Sequence, residues 1–188
     1  MRKITGIIIH CTATRPAFME GHSTAAKVAE IRRWHVDPQP RGNGWSDIGY
    51  HFLIDRNGAV AKGRPIERDG AHVRGHNKGT IGISLFGGHG SAETDSFGVN
   101  FTGEQAAALR KLVNDLRAKY GMVPITGHNE YAAKACPGFD VQTWLKVAVP
   151  DAPIPPLTIS TPPTPPAVIP DRPKGLWGFL WALLTRKD

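Results

Sequence analysis

Three side chains in this sequence have the chemistry of metal ligands and stand where an ordered backbone could hold them. They are His10 at the end of the apolar run Ile7-Ile8-Ile9, His128 after the stretch 123–126, and Cys136 in KACPG. Neutral imidazole and thiolate both suit zinc, and three protein ligands with a fourth position left open describe a catalytic rather than a structural site. A strand end is a good mount, because the sheet holds the backbone while the last side chain reaches an open rim. Each signal is weak by itself: the chain has eight histidines, and most histidines are satisfied core or surface residues. Spacing alone does not decide among them. Cys11, next to His10, invites a cysteine nucleophile with a histidine base. On a strand, however, adjacent side chains face opposite ways, so Cys11 reads as a small buried filler.

The elements that must position these residues are legible from periodicity and turn chemistry. Residues 3–10, 49–55 and 80–86 read as strands, and Asn57-Gly58 as a hairpin turn into a further strand over 59–62. Helical spacing appears over 24–35, with Val28, Ile31 and Trp34 on one side. It recurs over 103–120, with Leu109, Leu112, Val113 and Leu116 as the apolar stripe. Thr102 and Gln105 make a capping box for the second helix. Strands interspersed with helices predict an α/β fold, a mixed central β-sheet covered by helices, as a single domain over residues 1–149.

Residues 150–173 carry repeated prolines and read as an extended linker without regular hydrogen-bonded structure. Residues 174–188 then form an apolar, basic-flanked segment, GLWGFLWALLT between Arg172 and Lys174 on one side and Arg186 and Lys187 on the other. As a short C-terminal helix its eleven apolar-rich residues would be about 16 Å long, roughly half the hydrocarbon thickness of a bilayer. Such a segment is expected to lie in an anionic membrane surface rather than span it. The alternative is a terminal helix folded back onto an apolar groove of the domain.

The whole chain of 188 residues has a net charge of +7, which draws it to polyanions: nucleic acid, an anionic membrane or an anionic wall polymer. Two cysteines are too few for a disulfide framework. The apolar run at the amino terminus is too short for a signal-peptide core. The expectation is synthesis in the cytoplasm and, for a substrate outside the membrane, exit by another route.

IIIHCTAT, WSDIGYHFLIDRNG, GAHVRGHNKGTIGISLFGG and GHNEYAAKACPGFD, in that order, resemble the successive motifs of the type 2 N-acetylmuramoyl-L-alanine amidases, the family of small phage lysozyme-amidases and peptidoglycan recognition proteins. The similarity covers about residues 3–147. It implies that His10, His128 and Cys136 bind Zn²⁺, that Tyr50 and Lys134 are needed for activity, and that peptidoglycan is the substrate. His72 is then expected in the cleft contacting substrate, with Asn77 and Thr80 lining the same groove. His51, adjacent to Tyr50, should face the other way as a structural residue. His22, His35, His76 and His89 read as ordinary solvated histidines. Arg64 and Arg74 could meet stem-peptide carboxylates.

The chemistry expected is hydrolysis of the amide between N-acetylmuramic acid and L-alanine. Lys134 would stabilise the developing oxyanion, and Tyr50 would orient water and relay the proton to the leaving amine. The context that fits is a monomeric phage or prophage endolysin that reaches the cell wall after release across the membrane. Three other readings are weighed against this one. A recognition module that binds peptidoglycan without cutting it is disfavoured by the intact Cys136, which non-catalytic relatives typically lack. A specific nucleic-acid binder finds no motif in its support. A glycosidase would need two positioned carboxylates; Glu67 and Glu130 are available, but nothing pairs them.

Overall fold

Six consecutive residues of the amino-terminal run, Gly6–Cys11, are all buried, and the sheet is assembled around them. A computed structural model of the chain describes residues 2–147 and the two-residue strand Ile159–Ser160. In chain order the elements are β1 (Gly6–Cys11), α1 (Thr24–Val36), β2 (Phe52–Ile54), β3 (Val60–Lys62), β4 (Thr80–Leu85), α2 (Phe97–Asn100), α3 (Gly103–Tyr120), β5 (Ile125–Gly127), α4 (Val141–Lys146) and β6 (Ile159–Ser160). A single 3-10 turn, His128–Glu130, follows β5 directly. The strand order is β5-β1-β4-β2-β3-β6. Strands β5, β1, β4 and β2 run parallel, β3 is antiparallel to β2, and β6 pairs parallel with β3. The expected mixed α/β sheet is therefore the architecture of the molecule.

Alternation along β1 sends its residues to two different layers. Ile7, Ile9 and Cys11 belong to one apolar cluster with Ile81, Ile83 and Leu85 of β4 and with Leu109, Leu112, Val113 and Leu116 of α3. Ile8 and His10 point to the opposite face, in register with Gly82 and Ser84 of β4. On that second face Val28 and Ile31 of α1 pack with Ile48, Leu53, Ala61 and Phe86. Each fully buried Ile or Leu of these layers contributes about 1.5–3 kcal/mol relative to an exposed one.

The capping box at the start of α3 is present: the Thr102 side chain accepts from Gln105 N–H, and the Gln105 side chain accepts from Thr102 N–H. Gln105 is wholly buried, and its Nε2 also donates to the carbonyls of Ile54 (3.1 Å) and Phe86 (2.9 Å), tying α3 to the ends of β2 and β4.

Four expectations are adjusted by the structure. β1 starts at Gly6 and runs through Cys11; before it, Thr5 N–H donates to the Gly79 carbonyl, outside the ladder. Of residues 49–55 only Phe52–Ile54 form a strand. Gly49 is held where a Cβ would lie 2.5 Å from the Ala71 carbonyl oxygen, so its backbone turns toward that loop. Trp34 does not share the buried side of Val28 and Ile31: it is 38% exposed, packs edge-on against Phe18, and donates from Nε1 to Glu30. Steps of three residues fall short of the 3.6-residue turn, so each rotates the side chain by about 60° and the third leaves the face.

The fourth concerns residues 150–173, read as a linker without hydrogen-bonded structure: Ile159–Ser160 pairs with Val60 and Ala61 as the sheet's edge strand. These two lie within 157–161, the longest proline-free run of that segment and rich in β-branched and hydroxyl residues. The linker assignment otherwise, and the apolar segment 174–188, lie outside the described residues. No helix among the described residues is long and apolar enough to cross a membrane.

Candidate metal centre

His10 is placed by β1, on the face away from α3, and is 1% exposed. His128 is placed by β5, the neighbour of β1, being the residue that follows the last ladder position Gly127. Cys136 comes from the loop after the 3-10 turn, and that loop is folded back on the turn by Asn129 N–H, which donates to the Cys136 carbonyl at 2.8 Å. Glu130 holds the base of the turn: its carboxylate accepts from Gly127 N–H at 2.7 Å and from Gln142 Nε2 of α4 at 3.1 Å. The Glu130 carboxylate is thus committed to the loop.

The three ligand atoms converge. Nδ1 of His10 lies 3.2 Å from Nδ1 of His128 and 3.8 Å from Sγ of Cys136, and all three atoms fall within 4.8 Å of one another. A tetrahedral zinc with bonds of about 2.05 Å to nitrogen and 2.3 Å to sulfur sets its ligand atoms roughly 3.3 Å apart for N···N and 3.6 Å for N···S. The donor set fits that ion in element, and the two separations from His10 fit it in spacing.

The electrostatics of the centre favour neutral ligands. Burial first, and then the neighbouring charges of His72, His128 and Lys134, hold the His10 imidazole well below its ordinary range. Burial and then Lys134 lower His128. Contact with the Cys11 thiol, followed by burial, pushes the Cys136 thiol up, and Cys136 Sγ also accepts from Cys11 N–H at 3.3 Å. A cation placed among the three would reverse that last effect, since a coordinated thiol is deprotonated. Cys11 itself is 6% exposed and belongs to the apolar cluster under α3.

Tyr50 and His51 leave the backbone in different directions. The Tyr50 ring lies 5.3 Å from that of His10, and burial, then the charges on Cys136 and Cys11, raise its hydroxyl above the ordinary phenol range. His51 is 1% exposed and serves the fold: its Nδ1 accepts from Gly82 N–H at 3.0 Å, and its Nε2 lies 3.0 Å from the Arg68 carbonyl. Beside His10 in register, Ser84 Oγ is buried and has no hydrogen-bond partner among the described residues.

Above the three ligands opens a groove of about 740 Å³, lined among others by Trp45, His72, Arg74, Asn77, His128 and Lys134. Lys134 is exposed on its wall and makes no ion pair among the described residues. His72 is 8% exposed, with Nδ1 3.0 Å from His10 Nε2; burial, and then the charge of His51, lower its pKa to about 3. The Asn77 side chain accepts from the backbone N–H groups of His72 and Val73 at 2.7 and 2.9 Å. Thr80 Oγ1 donates to the His76 carbonyl at 2.6 Å and lies outside the groove lining.

Of the two arginines considered for substrate carboxylates, Arg74 is exposed on the groove wall. Arg64 is not available: it is 8% exposed and donates to the carbonyls of Ile48, Asp69 and Asp47. The sequence reading missed His35 and Trp45. Their rings stack at 4.9 Å, His35 also stands edge-on to Tyr50 at 5.5 Å, and its Nδ1 accepts from Gly49 N–H at 3.2 Å. Their signal was faint, because a histidine in the last turn of a helix and a tryptophan in a glycine-rich loop meet only in three dimensions.

Three comparisons bear on this site. The sequence model of a family described as N-acetylmuramoyl-L-alanine amidase matches residues 1–139. The endolysin of Escherichia phage T7 is 41% identical over 138 residues, covering 73% of this chain and 83% of its own. Among solved structures, the N-acetylmuramoyl-L-alanine amidase LysC from Clostridium intestinale superposes with a TM-score of 0.57 at 26% identity, over 76% of this chain and 83% of that one. A bumblebee peptidoglycan recognition protein, PGRP-SA, superposes at 0.62 with 29% identity, over 80% and 87%.

Proposed function

Because this chain belongs to the N-acetylmuramoyl-L-alanine amidase family, we propose that it is a zinc-dependent endolysin of a phage or prophage. Its reaction is hydrolysis of the amide between the lactyl group of N-acetylmuramic acid and the L-alanine of the stem peptide. Family membership makes it an enzyme of peptidoglycan hydrolysis. The observation that carries the zinc reading is the convergence of His10 Nδ1, His128 Nδ1 and Cys136 Sγ within 4.8 Å of one another beside an open groove.

Zn²⁺ held by these three residues would supply hydroxide from water at neutral pH and polarise the scissile carbonyl. The protein's own groups do the rest. His10 and His128, kept neutral by burial, present lone pairs rather than protons to the centre. The groove receives the glycan-linked peptide, and the Lys134 ammonium on its wall stabilises negative charge that develops on the carbonyl oxygen. The Tyr50 hydroxyl, raised by burial, stays protonated at neutral pH and can donate. It orients the attacking water and relays a proton to the departing alanine nitrogen. His72 and Asn77 line the groove, His72 beside His10, and Thr80 stands next to His72.

Product analysis by mass spectrometry tests the reading. Purified peptidoglycan is incubated with zinc-loaded protein, with chelated protein and with Cys136→Ser. Free stem peptides beginning with alanine, lost in both controls, are the expected result. Intact wall that retains the protein would make it a recognition module instead, and cut glycan with peptides attached would mean that a different bond is broken.

A further inference from the structure

The groove above the metal ligands leaves one of its residues facing inward. His72 touches His10 through ring nitrogens: its Nδ1 lies 3.0 Å from His10 Nε2 and is, among the described residues, the one side-chain partner of that atom. His10 directs its other nitrogen, Nδ1, to His128 and Cys136. A histidine that gives Nδ1 to a cation must carry its proton on Nε2, and the tautomer is set by what that N–H meets. We infer that His72 is a positioning residue which, by accepting from His10 Nε2–H, fixes the tautomer and ring angle that turn His10 Nδ1 toward the metal. This rests on the zinc reading above.

The surroundings of His72 are built for that role. To accept at Nδ1 its own proton must sit on Nε2, and Nε2 lies 3.4 Å from Thr80 Oγ1. The Thr80 hydroxyl sends its proton onward to the His76 carbonyl at 2.6 Å, which leaves its lone pairs for His72. One direction of donation therefore runs through the whole set, from His10 to His72 to Thr80 to the backbone. The loop under His72 is pinned as well: Asn77 Oδ1 accepts from both His72 N–H and Val73 N–H.

Space for the ring is made by two glycines. A Cβ on Gly82 would lie 2.6 Å from its Cγ and Cδ2, and a Cβ on Gly70 would lie 2.3 Å from its Cδ2. A real side chain at either position would drive the ring off His10. With 8% of its surface exposed, His72 offers the groove little but has a full set of contacts behind it. His72, backed by Asn77 and Thr80, is thus a support for the first ligand as well as part of the groove lining, of the kind in which removing an outer-shell partner costs roughly 10–100-fold in metal affinity.

The experiment uses the full chain and zinc alone. Zinc affinity is measured by competition with a chromophoric chelator for the wild type, His72→Phe and His72→Asn. Phe fills the space without an acceptor; Asn carries Oδ1 close to where Nδ1 sits. The expected result is a roughly 10–100-fold loss for His72→Phe, largely restored in His72→Asn. In parallel, ¹⁵N imidazole spectra of the zinc-loaded wild type should show His72 as the Nε2–H tautomer, a readout that needs no variant to fold. Wild-type affinity in His72→Phe, or His72 protonated at Nδ1, overturns the inference while the zinc centre stands. Failure of the wild type to bind zinc at all overturns both, and so separates the two failures.

Discussion

Tyr50 and His51 are neighbours in sequence with unrelated duties. The first leans over His10, 5.3 Å ring to ring, while the second spends its Nδ1 on the Gly82 amide. Alternation of side chains along an extended backbone foretells that split even where the backbone has left the ladder. If the Tyr50 hydroxyl orients water and relays a proton, then Tyr50→Phe should lower turnover on peptidoglycan by about 10²-fold or more. Its zinc content, measured by atomic emission, should equal that of the wild type. Unchanged turnover would reject the role, and lost zinc would make Tyr50 a support of the ligands instead.

Among the elements, β1 and β5 mount His10 and His128 on adjacent parallel strands, and the loop after β5 brings Cys136 beneath them. Gln105, at the start of α3, holds the carbonyls of Ile54 and Phe86 from a wholly buried position. Gln105→Leu would leave the Phe86 carbonyl and, by breaking the capping box, Thr102 N–H without their partners, while the Ile54 carbonyl keeps Phe86 N–H at 2.9 Å. Each orphaned group costs about 1–3 kcal/mol, so urea denaturation should show a loss on the order of 3 kcal/mol. Zinc affinity of the folded variant should be unchanged, since Gln105 touches none of the ligands. The helix α3 and its cap were legible in the sequence because period and cap chemistry are local. The short helices α2 and α4 were not: four and six residues are too few to display a period.

At the scale of the whole molecule, burial of neutral histidines sets the response to acid. His51, lowered by burial from 6.5 to about 4, is neutral in folded and unfolded chains alike above pH 6.5. As the pH falls below 6.5 the unfolded chain takes up a proton that the folded one refuses, so stability is lost until about pH 4 and then levels off. Protonation would also take the lone pair from Gly82 N–H. His35, lowered to about 4 by burial and then by Arg64, adds in the same direction. For His51 alone the loss is roughly 3 kcal/mol, and a urea midpoint flat between pH 6.5 and 4 would contradict it. The carboxy-terminal segment 174–188 remains a proposal drawn from composition: a chain ending at residue 150 should bind anionic liposomes less than the full chain, and equal binding would remove the membrane role.

The sequence alone determined the α/β class, the hairpin at Asn57-Gly58, the helix over 103–120 and the candidate ligands, because period, turn chemistry and ligand type are properties of short stretches. Only the tertiary structure decided which nitrogen of His10 faces the other ligands, that His72 stands beside it, that Arg64 is spent on three carbonyls, and that Trp45 joins the wall of the site with His35 stacked on it. Those are contacts between residues far apart in the chain, fixed by strand order and loop return, and no local pattern encodes them.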